Sequence, residues 1–269
     1  MNSQLSKPES APRPVVTRRM DRVFLNLYNV GTFIARFFRE VLMPPYEGRE
    51  IVRQCYEVGV RSLPLITLTG FITGIVFTNQ SRPSLAEFGA TSWLPSLISI
   101  ALVRALAPLV TALICAGRVG SNIGAELGSM RVTEQIDAME VSATNPFKFL
   151  VASRVLATTF MIPTLAMYFV GVGLLGAFLN INQNEGTSFI SFVEEFFDAI
   201  SFLDVNSSVI KATIFGFTIG MVGSYKGYYS SKGTEGVGRA ANSAVVTAMF
   251  LIFIEEIMIM QIVNAIRAM

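Results

Sequence analysis

Thirty consecutive residues, Val155 to Asn184, carry no charge. A helix needs ~20 apolar residues to cross ~30 Å of hydrocarbon, so this run alone places the chain in a bilayer. Ser62 to Ser81 is a second uncharged run, of twenty residues. Between Glu87 and Arg118 the only charge is Arg104, between Asp204 and Lys226 it is Lys211, and from Ala240 to Ile266 only Glu255 and Glu256 interrupt. Five spans follow, at about 62–81, 93–116, 155–180, 205–225 and 240–266, three of them carrying a buried charge. Charged residues make up 15% of the chain against about 25% in a soluble domain, in agreement with that count. The reading is an all-α integral membrane protein.

Lys and Arg distribute unevenly about these spans. With the N-terminus inside, segments 1–61, 117–154 and 226–239 carry ten, four and three basic residues, whereas the outside segments hold Arg82 and Arg267. The positive-inside rule then predicts N-in, C-out. Residues 1–20 hold Pro12, Pro14 and four Lys/Arg without an apolar core, which predicts a disordered cytosolic tail and no cleavable signal peptide.

From 21 to 43 the pattern is amphipathic. Val23, Leu27, Val30, Ile34, Phe37, Phe38 and Val41 recur on one helical face, Arg22, Arg36 and Arg39 punctuate it, and Pro44-Pro45 ends it. The longest uncharged stretch inside it is too short to span. An interfacial helix is expected, its aromatic side in the acyl region and its arginines at phosphate level. A cytosolic helix packed on another subunit is the alternative. The five-span region then covers 44–269.

There is no His, which removes the commonest general base, the Ser-His and Cys-His pairs and His-rich metal sites. Cys55 and Cys115 read as packing residues. No catalytic residue, metal site or cofactor is expected in this chain, and its near-zero net charge gives no reason to expect nucleic acid. Gly233-x-x-Gly236-x-Gly238 lacks the strand and the Lys-Ser/Thr ending of a phosphate loop. The second inside segment opens with Gly117, Gly120, Gly124 and Gly128 and is long for a connection between helices. Within it, 131–141 reads as a short amphipathic helix with Val132, Ile136 and Met139 on one face, stopped by Asn145-Pro146. It suits docking onto a cytosolic partner or lying in the interface.

The run ALAPLVTALICAGRVGSNIGAELGSMRVTEQIDAMEV, followed by NPFKFLVASRVLA, YKGY and GTEGVGRAANSAVV, closely resembles the MlaE (YrbE) family of ABC-transporter permeases over roughly Glu50 to Ile266. The resemblance implies an N-terminal elbow helix plus five transmembrane helices. It also implies a homodimer in a bacterial inner membrane that moves phospholipid or related lipid between the inner and outer membranes. The implied partners are an ABC ATPase subunit carrying ATP and Mg, a periplasmic MCE-domain protein and an accessory cytosolic subunit of STAS type. Carried over by position, the family's ATPase-coupling helix falls on Arg131, Val132, Glu134, Gln135, Ile136, Asp137 and Met139, preceded by Glu126. Its lipid cavity falls on Phe77, Gln80, Ile100 and Arg104. This chain has Arg104-Ala105 where many members have Arg-Glu, and Glu256 where a last-span Asp is common. A secondary transporter or channel, or a membrane-embedded enzyme, are the rival classes. Five spans do not divide into paired repeats, and an enzyme would have little but Lys211, Glu255 and Glu256 to work with.

Counted at 1.5 Å per residue from the inside ends, Arg104, Lys211 and Glu255 share a layer roughly 20 Å up. A lone charge there costs ~3 kcal/mol or more. Lys211 is therefore expected to pair with Glu255 or Glu256, leaving Arg104 to face a cavity and meet a lipid phosphate, the alternative being that Arg104 also takes one of the two glutamates or snorkels outward.

Overall fold

The computed structural model describes residues 15–44, 47–231 and 233–267, with side chains from Phe24 onward. All regular structure among them is helical. In chain order the α-helices are α1 (Val15–Leu42), α2 (Gly48–Gly59), α3 (Leu63–Glu87), α4 (Leu94–Ala101), α5 (Ala107–Cys115), α6 (Ser121–Val132), α7 (Gln135–Val141), α8 (Ser153–Glu185), α9 (Phe189–Ala199), α10 (Phe202–Tyr228) and α11 (Thr234–Arg267).

Several of these join end to end. A 3-10 turn at Val60–Ser62 fuses α2 to α3, and π-helical turns at Leu102–Leu106 and Ala116–Gly120 fuse α4, α5 and α6. Five helices long and apolar enough to cross a membrane result: Gly48–Glu87, Thr91–Val132, Phe147–Glu185, Phe202–Tyr228 and Thr234–Arg267. Three of them have 39 to 42 residues, about 60 Å at 1.5 Å per residue, so each extends well beyond the hydrocarbon.

α8, the helix of the thirty-residue uncharged run, is the centre of the bundle and packs against α2, α3, α5 and α10. Its small residues set the distance. A Cβ on Gly74 of α3 would lie 1.9 Å from the carbonyl oxygen of Gly173, and one on Gly216 of α10 would lie 2.5 Å from that of Thr158. Backbone-to-backbone packing of this kind replaces the hydrophobic drive that lipid tails cannot supply. At the edges, only 22% and 17% of the apolar windows of the first and fifth long helices are buried within the chain, against 44–50% for the other three. α3 and α11 therefore offer the most apolar surface outward.

The glycine-rich segment after Gly117 is no loop. It continues the second long helix through α6, and Gly124 and Gly128 form a flat face that takes Ala240, Ala241 and Ala244 of α11 beside the Ser230 turn. Spacing of four residues makes such a face on a helix. Gly236 and Gly238 likewise fall in the first turns of α11, which leaves no phosphate-binding loop there.

Candidate functional site

The end of the bundle that carries α2 and the Ser230 turn is finished by α1 and α7, and neither presents its apolar face as the sequence suggests. Phe33 and Phe37 of α1 are buried in the protein, Phe33 among Phe147, Tyr225, Tyr228 and Tyr229 and Phe37 against Phe38 and Phe217. Arg36 lies 4.4 Å over the Phe147 ring, and Asn145 donates to Glu40 at 2.9 Å. The C-terminal half of α1 is thus docked on the start of the third long helix and the end of α10. Phe37 belongs to the core and not to the acyl region, because its ring is held edge-on by Phe38 and by Phe217 of α10, as the YKGYY rings hold Phe33. Exposed apolar surface remains on the N-terminal half, at Phe24, Leu25, Leu27 and Tyr28. The helix already begins at Val15, so the tail expected over 1–20 reaches 14 at most; residues 1–14 lie outside those described.

The single helix expected over 131–141 is two helices. α6 ends at Val132, Glu134 takes a left-handed conformation (φ 58°), and α7 starts at Gln135. Arg131 and Asp137 bridge the bend at 2.5 Å. Ile136 is fully buried in this chain and Met139 packs on the same core, with Val132 half-buried. The apolar stripe of α7 therefore faces inward. Glu134, Gln135, Asp137, Ala138 and Glu140 face outward, leaving a polar, acidic surface for any partner. Glu126 pairs at 2.8 Å with Arg154, which is 2% exposed and also donates to the Leu150 carbonyl, so it ties α6 to the start of α8.

Toward the opposite end of the bundle, three helices bring their charges together. Lys211 donates to Glu256 at 2.6 Å and to the Arg104 carbonyl at 3.2 Å. Pro108 has no N–H for the carbonyl four residues before it, which is that of Arg104, so the ammonium fills an acceptor the proline leaves open. Glu255 accepts from Thr218 at 2.6 Å. Arg104, on the π-helical turn, forks onto Asp204, with Nε 2.7 Å from Oδ1 and Nη2 2.9 Å from Oδ2. Arg267, at the end of α11, reaches the same Asp204, whose carboxylate also caps α10 through Ser201. Asp204 is fully buried, and it is the residue the sequence reading missed. The signal was there: Ser201-x-x-Asp204 is a capping box at the start of an apolar run.

The residues carried over for lipid do not form one cluster. Ile100 lines a cavity of about 660 Å³ with Leu85, Trp93, Leu97, Glu195 and Asp198, between the end of α3, the start of α4 and the helix α9. Phe77 is half-buried against the core, Gln80 is exposed, and Arg104 is engaged by Asp204. No group of three or more His, Cys, Asp or Glu that could hold a metal occurs among the described residues.

Residues 51–262 match the family described as permease MlaE. The chain belongs to the MlaE permease family. A probable ABC transporter permease protein of Rickettsia prowazekii (strain Madrid E) is 37% identical over 88% of this chain and 91% of its own length. One from Synechocystis is 35% identical, covering 81% and 83%. The intermembrane phospholipid transport system permease protein MlaE of Haemophilus influenzae is 32% identical, covering 75% and 78%. The chain is thus a multi-pass membrane protein and an ABC transporter permease of the MlaE family, not itself a catalytic subunit.

Proposed function

We propose that this permease moves phospholipid between the inner and outer membranes of a bacterial envelope, lying N-in, C-out in the inner membrane as a homodimer. A separate ATPase docks below it and a periplasmic MCE protein above it, with ATP and Mg bound by the ATPase alone. The observation that carries the lipid reading is the cavity at the outer end. Its walls are apolar at Leu85, Trp93, Leu97 and Ile100 and polar at Ser92, Ser96, Glu195 and Asp198, an amphipathic lining that suits an amphipathic cargo. The name of the Haemophilus influenzae relative supports the same cargo. The outward apolar surfaces of α3 and α11 support pairing of two copies, and the polar surface of α7 supports docking of the ATPase. An accessory subunit of STAS type would bind on the cytosolic side of that ATPase.

The test is reconstitution of the permease with its ATPase and MCE protein in vesicles holding a fluorescent phospholipid. ATP-dependent transfer to acceptor vesicles is expected, and Ile100→Asp should reduce it severalfold by placing a carboxylate in the apolar wall. Transfer that ignores ATP, or movement of ions instead of lipid, would overturn the reading in favour of a secondary transporter or channel.

A further inference from the structure

A second cavity, of about 120 Å³, lies between α2 and the π-helical turn at Ala116–Gly120, lined by Gln54, Glu57, Val58, Arg61, Arg118, Val119, Asn122 and Ile123. By liquid volume that is on the order of four water molecules, room enough for a phosphate group and too small for an acyl chain. Its depth is set by the chain. Arg61 and Ser62 mark the start of the first uncharged run, and Arg118 ends the apolar stretch that follows Arg104. The cavity therefore opens at the membrane boundary, where lipid phosphates lie.

Its charge is unbalanced. Arg61 is neutralised by Glu57 at 2.6 Å. Arg118 is half-buried, and no carboxylate lies within 4.0 Å of it among the described residues. Its Nη1 donates to Ser62 Oγ at 2.6 Å, and that hydroxyl spends its own hydrogen on the Val58 carbonyl. Ser62 thus aims the guanidinium without neutralising it. A guanidinium has five N–H donors in a planar fork, which leaves Arg118 able to hold an anionic oxygen pair, with the Asn122 amide at the same rim. Half-buried cations at this level are costly without an anion.

We propose that Arg118, positioned by Ser62 and flanked by Asn122, binds the phosphate of an inner-leaflet phospholipid at the crevice between the first and second long helices. The proposal rests on the reading of the chain as a lipid permease and adds to it a headgroup site at the end of the bundle opposite the 660 Å³ cavity.

The test uses the permease with its ATPase, reconstituted in phosphatidylcholine vesicles doped with spin-labelled phosphatidylglycerol, and reads the motionally restricted lipid fraction. R118Q should weaken retention about tenfold, as loss of a charge-assisted phosphate contact does, while R118K, which keeps the charge but not the fork, should fall between R118Q and the unaltered protein. N122W should also lower it by filling the cavity rim while leaving Arg118 and Ser62 in place. Each variant is compared only as monodisperse protein. Unchanged restriction in both R118Q and N122W would overturn the site. Displacement of the labelled lipid by inorganic phosphate would overturn the lipid assignment in favour of a soluble anion. Arg118-dependent retention in a complex that transfers no lipid would support the site and count against the transport reading alone.

Discussion

Lys211 is 3% exposed and Glu256 8%, and each depends on the other, because a buried charge that loses its partner is left unpaid for by water. Lys211→Ala should therefore cost roughly 3–5 kcal/mol. Lys211→Met with Glu256→Gln should recover much of that loss, since removing both charges also removes the desolvation. Thermal unfolding of the purified protein measures both, and equal loss in the single and double variants would refute the coupling. Asp204 has two arginine partners and a cap to hold, so Asp204→Asn should lower the melting temperature more than Arg267→Ala, which removes one partner alone. The depth argument predicted a glutamate for Lys211, and the structure supplies Glu256. For Arg104 it predicted a lipid phosphate, and the structure supplies Asp204. The difference has a physical cause: Asp204 stands at the first turn of α10, where charge counting reads a span boundary, yet the capping box folds its carboxylate back into the protein.

Among the elements, α7 separates what periodicity can and cannot say. The i, i+4, i+7 stripe of Val132, Ile136 and Met139 shows that a face is buried, but the same stripe fits a partner's groove or the chain's own core equally well. The left-handed Glu134 decides the matter by turning α7 back onto the bundle. Ile136→Asp should then destabilise the permease itself by ~3 kcal/mol or more, since the carboxylate enters a fully buried site. Asp137→Lys breaks an exposed ion pair, so it should change stability by less than about 1 kcal/mol. It should nevertheless lower ATPase stimulation, because it reverses a charge on the outward surface of α7. The reverse pattern, with Ile136→Asp folded and uncoupled and Asp137→Lys silent, would put the apolar face at the ATPase after all. The close contacts of Gly74 on Gly173 and of Gly216 on Thr158 were not legible in the sequence as contacts. Which helices they join required the fold, and Gly74→Leu should now prise α3 from α8 at a cost of at least ~1–3 kcal/mol, read by thermal unfolding of the detergent-solubilised protein.

For the whole molecule, span number and helical class were legible because uncharged runs and bilayer thickness leave little freedom, whereas membrane orientation is a statement about charge that the fold by itself does not make. The structure adds only the partners of the two basic residues assigned outside. Arg82, one of the two basic residues assigned outside, reaches Asn184 at 2.9 Å and Glu185 at 3.4 Å, and the other, Arg267, reaches Asp204. The two arginines assigned outside thus stand beside carboxylates, while 17 of the 21 basic residues fall in the sequence segments assigned inside. Ser142 and Asn184 are both exposed; Ser142 lies just before the third long helix and Asn184 in its last turn, so the 39-residue rod separates them by about 60 Å. Single cysteines at these positions, in a background with Cys55 and Cys115 replaced by Ala, should therefore report opposite sides of one membrane. In intact spheroplasts an impermeant thiol reagent should label a cysteine at Asn184 and not one at Ser142, and permeabilisation should expose both. Labelling of Ser142→Cys alone would invert the permease, and it would move the Arg118 cavity to the outer leaflet with it.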